Sequence, residues 1–74
     1  MLIRKVSVGL DYKAAMHYIV GQDVLSNSNK IHLIRYDEKS QSYKIYIINQ
    51  KEEVVLWKEF NSSMPVTIEY NINF

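Results

Sequence analysis

Seventy-four residues with a formal net charge of +1, 47% of them hydrophobic and 23% charged, describe one small domain, residues 1–74. A chain of that size hides only about 60% of the surface that its unfolded form exposes, which leaves a thin core and little depth for an enclosed active site. The even charge excludes a global field that would draw nucleic acid or an acidic surface, and the lack of cysteine excludes a disulfide frame and a thiolate metal site.

Met1-Leu2-Ile3 gives way at once to Arg4 and Lys5, far short of the apolar core of a signal peptide. No stretch approaches the ~20 apolar residues of a membrane span, so a cytoplasmic protein with no membrane contact is expected. Leu2, Val6, Val8 and Leu10 then alternate against Lys5 and Ser7, with Arg4 an exception on the apolar side. That spacing predicts a strand ending near Gly9.

Residues 12–20 admit two readings. Asp11 can cap a short helix in which Tyr12, Ala15, Met16 and Ile19 share a face and Gly21 ends it. Alternatively, Met16 to Val20 is a strand, Gly21 stands at a kink and Val24-Leu25 continue beyond it. β-branched Ile19 and Val20 beside Tyr18 favour the strand. Ser26-Asn27-Ser28-Asn29 reads as a solvated turn.

Lys30 to Tyr36 and Tyr43 to Ile48 are β-branched and aromatic runs separated by a polar connection, 37–42, of hairpin length. Asn49 to Glu53 links them to Val54–Phe60, and Asn61-Ser62-Ser63 leads on to Met64-Pro65, where proline marks a strand start. Val66, Ile68, Tyr70, Ile72 and Phe74 alternate with Thr67, Glu69, Asn71 and Asn73 to the last residue. The four runs from Lys30 onward are expected to pair in order as a meander. The fold class is therefore all-β: a small antiparallel meander or SH3-like partly closed barrel of five to six strands. The alternative is an α+β domain with the short helix at 12–20.

The run Tyr18-Ile19-Val20-Gly21-Gln22-Asp23-Val24, then Lys30-Ile31 and Tyr43-Lys44-Ile45-Tyr46-Ile47, resembles the opening of SH3-like small barrels of the Tudor and KOW kind. Gln22 stands where those domains usually carry an acid. The resemblance covers about half of the chain and implies a barrel, not a ligand. In size and composition the chain also resembles the small early proteins of T-even bacteriophages. That likeness implies an accessory protein acting on a host protein in the host cytoplasm.

A search for chemistry yields little. His17 and His32 lie in separate segments without metal-ligand spacing, no glycine-rich phosphate loop exists, and Ser62-Ser63 has no His placed by spacing. Asp37, Glu38, Glu52 and Glu53 cluster in hairpin turns, where carboxylates are solvated and ordinary. Glu59 and Glu69 fall on strands and could face one another across neighbouring strands, but a cross-strand pair with Lys58 or Arg35 is the commoner outcome and is expected. No enzyme activity, cofactor or metal is expected.

The most informative feature is aromatic and basic. Alternation puts Lys44 and Tyr46 on one face of their strand and Ile45 and Ile47 on the other. If Trp57 joins Tyr46 outside, the two form a platform flanked by Arg35, Lys44 and Lys58, suited to stacking bases or anchoring a partner. Otherwise Trp57 fills the core of a very small barrel. Three functions follow: a noncatalytic protein-interaction module regulating or inhibiting a host protein; a nucleic-acid binder using that platform, disfavoured by the even charge; or a self-associating subunit, a homodimer through the edge of the strand that ends at Phe74.

Overall fold

The structure, a computed structural model, describes residues 2–11, 13–24 and 29–71. Seven strands follow one another: β1 (Leu2–Val8), β2 (Met16–Ile19), β3 (Asp23–Val24), β4 (Asn29–Asp37), β5 (Ser42–Ile48), β6 (Val54–Asn61) and β7 (Val66–Asn71). All pairings are antiparallel, in the order β2-β1-β4-β5-β6, with β3 on β4 and β7 on β1. The sheet curls into a half-barrel around Val6, Val24, Ile31, Ile34, Ile45 and Ile47. No helix occurs among the described residues, and none is long and apolar enough to cross a membrane.

The short helix considered for residues 12–20 does not form. Asp11 does act as a turn former: its carbonyl accepts from the amides of Ala14 and Ala15, and its Oδ1 from that of Lys13. One turn is all it starts, because Met16–Ile19 is captured by β1, with Val6 opposite Tyr18 and Val8 opposite Met16. Gly21, at φ 89°, then breaks the segment into two short strands, as the kink reading expected. The strand count thereby reaches seven instead of five or six. Tyr12, Leu25, Ile72 and Phe74 lie outside the described residues, and with them the expected extension of the last strand and its proposed edge at Phe74.

The β4–β5 hairpin has the expected register, Arg35 opposite Lys44 and Tyr36 opposite Tyr43. Asp37 Oδ1 accepts from the Lys39 amide, and Gln41 takes φ 50° to close the turn. At the next turn Asn49 Oδ1 accepts from the amides of both Lys51 and Glu53. A four-strand meander, however, is not what forms. After β6 the Asn61 side chain and carbonyl fold a tight turn onto the amides of Ser63 and Met64, and the chain crosses the end of the barrel to pair with β1. Pro65 extends the crossing, and its carbonyl accepts from the Gly9 amide at 2.9 Å. Alternation specifies which face a strand buries but not which neighbour it finds, and Val66 and Ile68 meet the core equally well beside Val8 and Val6.

Among the described residues three β-bulges bend the strands: Arg4 in β1 is an extra residue against β7, and His32 in β4 and Trp57 in β6 are extra residues against β5. An extra residue shifts the inward phase by one. In β1 it is Ile3 that points in with Val6, while Arg4 joins Lys5 outside and pairs with Glu69 at 2.8 Å. The misfit of Arg4 in the sequence pattern is this bulge. Leu2 and Leu10, assigned to the apolar side, are 62% and 94% exposed. In β4 the bulge leaves Ile31 and Ile34, three apart, both buried.

Candidate functional site

Residues opposite one another in an antiparallel sheet share a face, so the register builds the outer surface of β4–β5–β6 row by row. Leu33, Tyr46 and Leu56 form one row; Lys30, Ile48 and Val54 lie beside it, and Arg35, Lys44 and Glu59 on its other flank. Leu33, Val54 and Leu56 are 36%, 48% and 49% exposed. The outcome is an apolar stripe centred on Tyr46 and rimmed by charge.

The rim is a hydrogen-bonded network. Lys44 Nζ donates to Asp37 Oδ2 at 2.8 Å and lies 3.9 Å from Glu59 Oε2. Ser42, buried beneath, donates to Glu59 Oε2 at 2.6 Å and meets Ser40 Oγ at 2.6 Å. The bond from Lys44, followed by the Lys39 amide, holds the Asp37 carboxyl below its usual range, and the same bond to Asp37 raises the Lys44 ammonium above its own. The Lys44 charge is thus matched within the protein. Asp37, placed among ordinary turn carboxylates by the sequence, is not ordinary, and Glu59 takes Lys44 rather than Lys58 or Arg35 as its partner.

Arg35, Lys44 and Tyr46 share this face as expected. Trp57 and Lys58 do not, and the platform that required Trp57 beside Tyr46 is not built. Lys58 stands opposite Ile45 and Leu56 opposite Tyr46, so the bulge turns Trp57 and Lys58 both toward the inner side. There Trp57 packs half-buried against the core and meets the Tyr18 ring edge-on at 5.8 Å, with Lys58 Nζ 5.0 Å from its centroid. Tyr18 stacks on Phe60, Phe60 on Tyr43, and Tyr43 tilts against Tyr36. Burial, then the nearby hydroxyls of Tyr70 and Tyr36, raise the Tyr43 phenol above its ordinary value. The tryptophan is therefore part of an aromatic row that lines the inside of the curled sheet.

The register also joins two residues that spacing alone leaves apart: Ser7 Oγ lies 2.8 Å from His17 Nδ1, across β1 and β2. The missed signal is that both are polar positions in alternating strands on either side of a turn. Among the described residues, no three His, Asp or Glu side chains gather where a metal could be held. The exposed apolar residues Leu33, Val54 and Leu56 were also missed, since each sits in a run that reads as core.

Fold and surface together define a small curled antiparallel domain with an apolar, charge-rimmed outer face. No family model, curated protein or solved structure matches the chain.

Proposed function

We propose that the protein is a noncatalytic protein-interaction module that binds a partner protein through the outer face of β4–β5–β6. The observation that carries this reading is the row Leu33–Tyr46–Leu56, its two leucines exposed and its tyrosine half-buried, on a three-stranded surface between Val54 and the Arg35–Lys44–Glu59 row. Hot spots at interfaces favour a tyrosine set among apolar neighbours with a charged rim that fixes orientation. The likeness to small early phage proteins supports a host protein as the partner and the host cytoplasm as the place. Nucleic acid is the weaker candidate, because Trp57 faces away from Tyr46 and the Lys44 ammonium is taken by Asp37.

Affinity capture from a candidate host lysate tests the reading, comparing the native chain with Leu56→Glu. One protein is expected to be retained by the native chain and lost with the variant, whose circular dichroism stays native. Its retention should hold between ~50 and ~200 mM salt, where phosphate-driven binding falls by orders of magnitude. Capture that Leu56→Glu leaves intact, or that collapses over this salt range, sinks the proposal.

A further inference from the structure

Among the described residues, β2 and β6 meet without backbone pairing. β2 and β6 terminate the strand order, and what joins them is side chains, Tyr18 against Trp57 and Phe60. Beside this seam lies a groove of about 440 Å³ lined by Val8, Gly9, Met16, Tyr18, Phe60 and Met64, with Lys58 and Glu59 also in its lining; the Glu59 carboxylate is already engaged by Ser42 and Lys44. Most of its walls are apolar, and the two methionines are flexible enough to fit side chains of differing shape. The rim of β6 that faces it pairs with no other strand among the described residues, so its amides and carbonyls are available to an added strand. Lys58, exposed at the lip, has no carboxylate within ion-pair distance among the described residues, and its ammonium is held over the Trp57 ring.

We propose that the seam binds an extended segment of a partner protein, which pairs with β6, places one apolar side chain in the groove and brings an acidic residue to Lys58. Backbone pairing supplies affinity, while the groove and the lysine select the sequence. Charge complementarity favours this occupant over a second copy of the chain: antiparallel pairing of β6 with itself about its middle sets Lys58 beside the same lysine of the other copy. The proposal goes beyond the outer-face reading, since it concerns a separate surface, and either can fail while the other stands.

The test is selection of displayed eight-residue random peptides on the native protein and on Lys58→Glu, followed by amide chemical-shift mapping with the best peptide from each. The native chain is expected to enrich peptides of alternating apolar residues with one fixed acidic position, shifting the amides of Val54–Asn61 and changing Trp57 emission. Lys58→Glu, an exposed change that leaves the fold intact by circular dichroism, should weaken the acidic peptide about three- to ten-fold and enrich basic residues at that position. No enrichment, enrichment without the acidic position, or shifts confined to Leu33, Tyr46 and Leu56 would overturn it. So would β6 shifts that grow with protein concentration in the absence of peptide, which assign the seam to a second copy.

Discussion

Replacing Trp57 with alanine tests the consequence of the β6 bulge most directly. A fully buried aromatic ring truncated to alanine costs about 3–5 kcal/mol, and Trp57 is half-buried against the core, so roughly half of that, about 2 kcal/mol, is expected from packing. Loss of the edge-on contact with Tyr18 at 5.8 Å adds about 0.5–1.5 kcal/mol beyond area. The sum is near 3 kcal/mol, which in a domain of this size lowers the melting midpoint by more than about 10 °C. Urea unfolding followed by circular dichroism measures it without relying on the indole, and a cycle with Tyr18→Ala should return a coupling of about 0.5–1.5 kcal/mol. A change under about 0.5 kcal/mol, the size of an ordinary surface substitution, would place the ring outside and restore the platform that the structure dissolves.

Gly9 and Gly21 form a matched pair of substitutions. A Cβ on Gly9 would stand 2.8 Å from Ala15 Cα, at φ 143°, so Gly9→Ala should cost more than Gly21→Ala, where φ is 89° but the space is open and the backbone strain costs about 1–2 kcal/mol; equal losses in urea unfolding would refute the close approach. The Asp37–Lys44 bond predicts an acid limit. Because the Asp37 carboxyl is held below its ordinary value of 3.8, its contribution is present above that pH and is lost as pH falls through the lowered value. On the basic side, the raised ammonium keeps its contribution up to the ordinary Lys44 value of 10.5 and loses it above. An acid titration from about pH 5 to about pH 2 should move the Lys39 amide, which donates to Asp37, and Asp37→Asn should remove that part of the change. A Lys39 shift that persists unchanged in Asp37→Asn would show that the bond is not its source.

How much of this was legible in the sequence depends on the distance over which each rule acts. Alternation and turn residues are local, and they gave the all-β class, the β4–β5 hairpin with Arg35 opposite Lys44, and the outward placement of Lys44 and Tyr46. Pairing of β7 with β1 joins Val66 to Val8, a contact between the two ends of the chain, and no local pattern distinguishes it from pairing with β6. The bulges failed for a different reason. One extra residue leaves composition and propensity unchanged while it exchanges the two faces for everything beyond it. Arg4 betrayed its bulge because a charge fell among apolar residues, whereas Trp57 and Lys58 sit where either phase offers an apolar companion.

The same bulges explain how so short a chain has apolar surface to spare. In a straight strand Leu56 and Glu59, three apart, could not share the outer face while Trp57 and Phe60, also three apart, share the inner one. The extra residue lets Leu56 stand outward beside Tyr46 and Glu59 outward beside Lys44 while Trp57 and Phe60 both turn inward to Tyr18. Curling brings β2 toward β6 through ring contacts, so the aromatic row lines the gap between them and the backbone edge of β6 is left unmatched among the described residues. Two surfaces with different chemistry result: an apolar stripe beside which Lys44 is already paired with Asp37, and a groove whose Lys58 has no carboxylate within ion-pair distance among the described residues. A partner held by the first is recognised by shape and a partner held by the second by strand and charge, so the salt response of each contact distinguishes them. The stripe should be insensitive, and the seam should weaken by the modest factor of one exposed ion pair.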